Sequence, residues 1–275
     1  MPTQSAFRKF AEKVAGKVEK EGLLALDSRV HFDPRVCLDC GGYCCFNPEI
    51  ILSPYDVYRL VKGQAFKLVG VDGLNAFVEK YCDVYIGEYS KIPIVLMPKS
   101  GSCPFLSPRI SVGEENKFYV AATSRGKPVL LCGIHMFKPM KCRYYPLGYV
   151  QMDDKRGFVF MDRPECPGCQ TSETTTVEDI LGVDLENRQL SDLTMEVLIK
   201  ATRTAEQVRK EFPGDAVSAV ERVLYLTLYA IVEPLASSGK TYVEIAETQL
   251  GAIEEIPSSA KEAIKSIRKT LGKSA

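Results

Sequence analysis

Cys37-Leu38-Asp39-Cys40-Gly41-Gly42-Tyr43-Cys44-Cys45 places four thiols within nine residues, with two adjacent glycines between them. One free cysteine packs well in an apolar core, but four in a tight loop leave few other side chains to pack. Thiolates are soft donors that favour zinc or the iron of iron–sulfur clusters. Glycine allows the positive φ angles with which a backbone curls round a centre. The loop therefore predicts half of a cysteine-built metal site.

Cysteines further along the chain supply the ligands that such a site needs. Cys103 precedes a proline, in a tight turn without a backbone donor that suits the presentation of a ligand. Cys166-Pro167-Gly168-Cys169 is a C-x2-C knuckle, that is, two cysteines presented by one tight turn. Cys82 has no partner at ligand spacing, and we predict a buried core cysteine there. Without Cys82, nine of the ten cysteines remain, enough for two four-ligand centres with one thiol left over.

The adjacent pair Cys44-Cys45 limits how these ligands are shared. In an extended segment neighbouring side chains point to opposite sides, so one metal ion takes both only where the loop turns sharply. Two centres, a multinuclear centre or one structural cysteine in the pair all fit the sequence. His31 and His135 are the only two histidines, which excludes zinc fingers with paired histidines.

The composition excludes several classes of function. The chain has 275 residues, 45% of them hydrophobic, enough to fill a core that does not depend on metal alone. Lys and Arg number 35 together, as do Asp and Glu, so no global charge attracts nucleic acid. No apolar run is long enough to span a membrane.

The N-terminal sequence and the cysteine count together predict the compartment. Residues 1–20 are rich in Lys and Glu and lack the apolar segment of a signal peptide, so we expect a cytoplasmic protein. In a reducing cytosol, ten cysteines favour metal or redox roles, and a disulfide framework is the alternative.

Hydrophobic periodicity predicts the secondary structure and an α+β fold class. We expect helices over residues 5–21, from Ser53-Pro54 onward, and over 74–81, 177–181, 190–212, 216–235, 242–250 and 259–271. We expect a strand over 92–97 and two hairpins, 117–122 with 127–131 and 148–152 with 157–161, which turn at 124–126 and 153–156. The expected organisation is an irregular cysteine-rich metal-binding domain with small β-hairpins (1–175), followed by an α-helical C-terminal half (176–275) packed on it.

The ordered cysteines resemble those of a known family. The pattern C-x2-C-x3-C-C over residues 37–45, Cys103-Pro-Phe-Leu, Cys132 to Cys142-Arg-Tyr-Tyr-Pro and Cys166-Pro-Gly are similar to the YkgJ-like cysteine-cluster family. Ser53-Pro-Tyr-Asp56-Val-Tyr-Arg59-Leu60 is similar to the segment that follows the paired cysteines in that family. The resemblance covers residues 34–181, about half of the chain. It implies a zinc- or iron-chelating domain, and the family includes flagellin lysine N-methylase.

The resemblance also implies a ligand set. The family's eight cysteines match Cys37, Cys40, Cys44, Cys45, Cys103, Cys132, Cys142 and Cys166. Cys169 is additional and well placed to act as a ligand. The chain departs from the family at His135, where a Tyr is usual, and at Lys138, where an Arg precedes the Pro. His135 is therefore either a local ligand or proton carrier, or a histidine packed in a turn.

Three side chains beside the cysteines are candidates for binding the cofactor. The fixed positive charge of Arg143 would lower thiol pKa and offset the negative charge of a thiolate-ligated metal. Tyr43 and Tyr144 would shield the site and donate hydrogen bonds to sulfur, although core packing explains them equally well.

Nearly all-thiolate ligation fits both Zn²⁺ and a 4Fe–4S cluster, and we favour the iron–sulfur cluster. The expected function is a metal-binding protein that holds one or two thiolate-ligated centres, with the helical half available to a protein partner. The alternative is a metal-dependent or iron–sulfur methyltransferase acting on protein lysine, and a metal chaperone or sensor is a third reading. The chain has no G-x-G-x-x-G loop after a strand, so no ordinary nucleotide cofactor site is visible.

Overall fold

The computed structural model describes residues 4–38, 40, 42–46, 48–107, 109–112, 117–120, 130–152, 155–161, 165–182, 185–212 and 214–271. The fold mixes helix with small antiparallel sheets, is 58% helical and has a helical C-terminal half, which confirms the mixed class predicted from the sequence. Among the described residues, no helix combines the length and the apolar character that crossing a membrane requires.

The α-helices are α1 (Gln4–Glu21), α2 (Pro54–Lys62), α3 (Ala65–Leu68), α4 (Gly73–Tyr81), α5 (Met140–Arg143), α6 (Val177–Leu181), α7 (Leu185–Glu211), α8 (Gly214–Tyr225), α9 (Val232–Ser237) and α10 (Tyr242–Leu271). A π-helix covers Leu226–Ala230, and short 3₁₀ helices cover Pro34–Leu38, Tyr43–Cys45, His135–Phe137 and Pro167–Cys169. The strands are β1 (Arg29–Val30), β2 (Ile50–Leu52), β3 (Asp83–Ile86), β4 (Pro93–Met97), β5 (Leu106–Ser107), β6 (Arg109–Val112), β7 (Lys117–Val120), β8 (Leu131–Cys132), β9 (Leu147–Met152), β10 (Lys155–Phe160) and β11 (Thr175–Thr176).

Several helix boundaries follow directly from capping chemistry. Ser53 begins α2 as predicted, because its side chain accepts from the Asp56 N–H while Asp56 returns a bond to the Ser53 N–H, a complete capping box. Gly22 ends α1 with φ of 76°, a conformation that suits glycine. The helices predicted over 5–21, 74–81 and 177–181 are confirmed by α1, α4 and α6.

The strands form small separate sheets, and the described residues test one of the two predicted hairpins. β9 and β10 pair as predicted, with Met152 opposite Lys155, although Lys155 and Arg156 were expected in the turn and belong to β10. Within the described residues, β7 pairs with β6 and β8 pairs with β5, and the segment Arg109–Val112 was not predicted as a strand. Residues 121–129 lie outside the described residues, so the hairpin of 117–122 with 127–131 and its turn at 124–126 stay predictions.

The C-terminal half differs from prediction at a proline. Two helices were expected over 242–250 and 259–271, but α10 is continuous and carries Pro257 inside it. Proline removes one helical hydrogen bond and crowds the preceding turn. Ile253 and Ile256, just before this point, are buried, and α10 packs against α7, so tertiary packing accounts for the continuity of the helix.

One large hydrophobic core joins the cysteine-rich part to the helical half. It contains buried residues from Ile50 to Ile256, and α2 packs against α9. The Tyr229 hydroxyl donates to the Leu52 carbonyl across this core at 3.2 Å. The C-terminal helices therefore pack directly on the part of the fold that contains α2 and β4.

Candidate functional site

Five thiols interact with one another, and we call them the first thiol cluster: Cys44, Cys45, Cys103, Cys132 and Cys142. They come from four separate segments, namely the 3₁₀ helix Tyr43–Cys45, the loop after β4, β8 and α5. The thiol of Cys45 is hydrogen-bonded to those of Cys44 and Cys103. Residues that stand far apart in the sequence thus meet at one place.

Backbone hydrogen bonds bring these segments together. The Cys103 N–H donates to the Cys45 carbonyl at 2.8 Å, which joins the loop after β4 to the cysteine loop. Cys132 pairs with Leu106 in the β5–β8 ladder, and Leu106 lies only three residues after Cys103 in the sequence. The cluster is therefore part of the folded backbone framework.

The Cys44-Cys45 pair enters one cluster because the chain is not extended there. Gly42 has φ of 77°, and the next three residues form a 3₁₀ helix, the sharp turn that adjacent ligands require. A Cβ at position 42 would lie 2.7 Å from Leu106 Cδ1 and 3.2 Å from the Leu130 carbonyl oxygen. Both the backbone angle and the close approach therefore call for glycine.

The first thiol cluster is electrostatically unfavourable for thiolates unless a cation is present. The hydrogen bond with Cys103 raises the pKa of the Cys45 thiol to about 12. Burial raises the pKa of Cys142 well above its ordinary value, and the neighbouring thiols Cys132, Cys45 and Cys44 raise it further. The positive charge of Lys138 acts in the opposite direction, lowering the pKa of Cys44 and Cys132.

Asp56, a buried side chain of α2, holds the start of α5. Its Oδ1 accepts from the Met140 N–H at 2.7 Å, two residues before Cys142. Its Oδ2 accepts from both the N–H and the hydroxyl of Ser53 at 2.8 Å. One carboxylate thus caps α2 and also fixes the segment that carries a cluster cysteine.

Arg59, one turn further along α2, holds the rest of that segment. Its Nη1 donates to the Lys138 carbonyl and its Nη2 to the Met136 carbonyl, each at 2.7 Å. Arg59 is only 6% exposed. The sequence did not predict these roles of Asp56 and Arg59. The signal that could have indicated them is the similarity of residues 53–60 to the segment that follows the paired cysteines in the YkgJ-like family.

A second group of cysteines lies at the C-x2-C knuckle. Cys166 and Cys169 are buried, and the Cys169 N–H donates to the Cys166 carbonyl at 2.9 Å. The 3₁₀ helix Pro34–Leu38, which includes Cys37, packs against Pro167–Cys169. The side chain of Cys37 lies outside the described residues.

Cys40 follows that 3₁₀ helix. Its N–H donates to the Val36 carbonyl at 3.0 Å, which keeps Cys40 beside the helix. The loop Cys37–Cys45 is therefore divided, because the 3₁₀ helix Pro34–Leu38 packs against the knuckle and Cys44 and Cys45 join the first thiol cluster.

Tyr43 and Tyr144, which the sequence predicts to lie beside the cofactor, occupy different surroundings. Tyr43 is exposed beside Cys44. Tyr144 is buried, its ring packs edge-on against Phe158, and its hydroxyl lies 3.3 Å from the Ser191 Oγ on α7. The observed hydroxyl partner of Tyr144 is thus a side chain of the helical half.

His135 and Arg143 lie near each other. His135 keeps more than a third of its surface exposed in the 3₁₀ helix His135–Phe137, and the partial desolvation of its ring, together with the charges of Lys138 and Arg143, lowers its pKa. Arg143 is half-buried at the end of α5. The cation whose charge acts on the thiols of Cys44 and Cys132 is Lys138, one of the two positions at which the chain departs from the family.

Cys82 is a core cysteine, as predicted. It is 3% exposed at the end of α4, and burial raises the pKa of its thiol to about 12. The nine cysteines whose side chains are described are all free, so the disulfide alternative finds no support among them.

A closed metal site is not seen within the described part of the chain. No group of three or more His, Cys, Asp or Glu side chains there is arranged to hold a metal ion. An open depression of about 530 Å³ lies beside the knuckle, lined by His31, Phe160, Cys169, Gln170 and Thr171. It lacks the enclosure typical of cofactor and substrate pockets.

Comparison of the chain with protein-family models, with curated proteins and with solved structures finds no match. The resemblance to the YkgJ-like family therefore stays a prediction from the cysteine pattern.

Proposed function

We propose that this protein binds metal through the first thiol cluster, as an iron–sulfur cluster in preference to zinc. The observation that supports it is the meeting of five thiols from four chain segments at one place. Burial of single cysteines does not require such a meeting, whereas a thiolate-ligated centre does. The free state of the described cysteines also fits a reducing compartment, such as the cytoplasm.

The donor set suits a soft metal. All five members are thiols, and four of them resist ionisation because burial and their neighbours raise their pKa, namely Cys44, Cys45, Cys132 and Cys142. A bound cation supplies the positive charge that reverses this effect, so metal binding and deprotonation are coupled. Since the described residues form no closed metal site, binding requires the thiols to draw together round the metal.

The ligands are four of the five members of the first thiol cluster. Asp56 and Arg59 position the segment that carries Cys142, and the Cys45–Cys103 backbone bond positions two others. An iron–sulfur cluster bound there supplies one-electron transfer, and zinc bound there supplies structural cross-linking. Lys138 reduces the net negative charge of the bound state in either case.

The test is anaerobic purification of the full chain, followed by a visible absorption spectrum and metal analysis. We expect a brown protein that contains iron and sulfide, and loss of most of its iron in the variants Cys103→Ser and Cys142→Ser. Cys82→Ser is the matched control for Cys103→Ser, because Cys82 is buried like Cys103 but takes no part in either group of cysteines. It should keep its iron.

If the purified protein is colourless and contains stoichiometric zinc, the first thiol cluster binds zinc and not an iron–sulfur cluster. Full metal content in both Cys103→Ser and Cys142→Ser would refute metal binding by this cluster. The lysine methyltransferase remains the alternative prediction, and thermal stabilisation by S-adenosylmethionine is its test.

A further inference from the structure

We propose that the surface round Cys44 docks an acidic electron-transfer protein. This surface, which we call the docking face, comprises Tyr43, Phe46, Leu130, Met136 and Lys138. The inference deepens the proposed function and rests on it, because a one-electron centre requires a partner that exchanges electrons with it. One electron passes between the carrier protein and the bound centre, so that one is oxidised as the other is reduced and no bond forms or breaks.

Cys44 brings the first thiol cluster to the protein surface. It is exposed, whereas Cys103 is buried and Cys45, Cys132 and Cys142 are partly buried. Electron transfer between two proteins requires a short distance between their centres. A carrier that docks over Cys44 therefore contacts the cluster without intervening protein.

Four large apolar side chains of the docking face are exposed to solvent. The exposed fractions are 47% for Tyr43, 49% for Phe46, 41% for Leu130 and 51% for Met136. Aromatic side chains and methionine are enriched in protein interfaces relative to the rest of the surface. Single exposed apolar residues are ordinary, whereas several at one place indicate an interaction site.

Backbone contacts place three of these side chains at the turn that carries Cys44. Tyr43 directly precedes Cys44, and the Phe46 N–H donates to the Tyr43 carbonyl at 3.0 Å. Leu130 lies beside the same turn, because its carbonyl oxygen would be 3.2 Å from a Cβ on Gly42. Chain from two distant parts of the sequence thus presents apolar side chains at one place.

The charge on the docking face is positive. Met136 lies two residues before Lys138, in the segment 135–143, which contains three cations and no carboxylate. The charge of Lys138 acts on both Cys44 and His135, and the charge of Arg143 also acts on His135. Since the chain as a whole is neutral, this positive charge is a local property of the face.

The positive charge selects an acidic partner. Asp56, a carboxylate that acts on the cluster, is only 2% exposed and presents no charge to a docking protein. Redox proteins associate through small, transient interfaces, in which complementary charges raise the rate of encounter. A second copy of this chain would bring two positive faces together, which is unfavourable.

Nucleic acid is the other common polyanion, and the composition disfavours it. Binding to a phosphate backbone depends on several cations that follow the strand. Lys and Arg number 35 together and are balanced by 35 Asp and Glu residues. A single-stranded oligothymidine is therefore the competing probe in the experiment.

The first measurement concerns docking and needs no metal centre. Fluorescein-labelled deca-glutamate is titrated with the full-length protein, and fluorescence anisotropy gives the Kd. We expect weaker binding of labelled deca-lysine, and a Kd for deca-glutamate that rises with added salt. Met136→Glu places a negative charge on the docking face and should raise this Kd about fivefold.

Two further variants separate charge from structural disturbance. Met136→Gln changes the same exposed side chain without adding charge, and it should bind deca-glutamate more tightly than Met136→Glu does. Lys210→Glu makes a larger charge change in the last turn of α7, outside the docking face, and it should keep the wild-type Kd.

The second measurement concerns electron transfer. Stopped-flow absorbance follows reduction of the bound iron–sulfur cluster by an anionic donor, reduced anthraquinone disulfonate, and by a cationic donor, reduced methyl viologen. Added salt should slow the anionic donor and not the cationic donor, because salt screens attraction to the positive face. Met136→Glu should remove this difference. Rates are expressed per bound cluster, so that partial loading does not alter the comparison.

Equal affinity of the wild type and Met136→Glu for deca-glutamate would overturn the docking face. Tighter binding of oligothymidine than of deca-glutamate would overturn the acidic protein as its partner. In the iron-containing protein, equal salt responses of the two donors would overturn electron transfer through this face. Absence of iron is a separate result, since it refutes the proposed function and the electron-transfer role, while the peptide titration still decides whether the face binds an acidic partner.

Discussion

Arg59 shows how a residue remote from the cysteines in the sequence shapes the candidate site. Its two guanidinium nitrogens hold the carbonyls of Met136 and Lys138, in the segment between Cys132 and Cys142. A planar fork can satisfy two carbonyls at once, and an ammonium group on a flexible stem cannot do so with the same geometry.

We therefore expect Arg59→Lys to destabilise the protein by about 1–3 kcal/mol, the cost of leaving one buried polar group unsatisfied. Urea unfolding followed by circular dichroism measures the change. Arg29→Lys is the matched control, because Arg29 is exposed and its side chain makes one hydrogen bond, to Thr174 at 3.1 Å. Equal shifts in the two variants would contradict the role of Arg59.

At the residue scale, the sequence predicted the core cysteine but not where the remaining cysteines and their neighbours lie. The buried state of Cys82 is confirmed, and it followed from the absence of any partner at ligand spacing. The division of Cys37–Cys45 between two places could not be predicted, because it depends on contacts with residues near 103 and 168. The Tyr144 hydroxyl likewise meets Ser191, which no local pattern could indicate.

Among the elements, the π-helix Leu226–Ala230 departs most from expectation, because a regular helix was predicted over 216–235. Gln249 of α10 is fully buried beside it, and its Nε2 donates to the carbonyls of Thr227 and Leu228 at 3.0 and 2.9 Å. A π-helix widens the backbone and turns carbonyls away from the ordinary helical ladder. Gln249 therefore stabilises an irregular turn in the helix that packs behind α2.

Gln249→Leu should lower the free energy of unfolding by about 1–3 kcal/mol, through loss of two buried hydrogen bonds. Leucine also removes Oε1, which has no hydrogen-bond partner among the described residues, and this offsets part of the loss. Thermal unfolding compares this variant with Gln207→Leu, whose exposed amide bonds only to Glu211. The interpretation would be wrong if Gln249→Leu unfolded at the wild-type temperature.

The elements that sequence patterns predicted best are those with strong local signals. The start of α2 at Ser53 and the pairing of β9 with β10 depend on neighbours in the sequence, and both were predicted, although the turn was expected over 153–156 and Lys155 and Arg156 belong to β10. The pairing of β5 with β8 and the continuity of α10 through Pro257 depend on packing with distant chain, and both were missed.

At the scale of the whole molecule, the helical half and the cysteine-rich part share one core. Buried side chains on both sides of residue 175 belong to it, including Leu60 of α2 and Leu228 of the π-helix. Glu233 of α9 also accepts a hydrogen bond from the Leu74 N–H at 2.8 Å. Separation of the chain near residue 175 would expose apolar surface on both pieces.

We therefore expect residues 1–175 produced alone to lack a cooperative unfolding transition, because a domain that loses one side of its core no longer buries enough apolar surface. Urea titration followed by near-ultraviolet circular dichroism and size-exclusion chromatography tests this expectation. The full chain serves as the control. A monomeric fragment with a cooperative transition would show that the cysteine-rich part folds independently.

The hydrogen bond between Asp33 and Gly168 has a consequence during protein synthesis. The two residues it joins leave the ribosome at different times, roughly 7–27 s apart at translation rates of about 5–20 residues per second. Throughout that interval Cys37 and Cys40 belong to a nascent chain without their partner turn. The earliest thiols of the growing polypeptide are thus the ones that wait longest for their native contact.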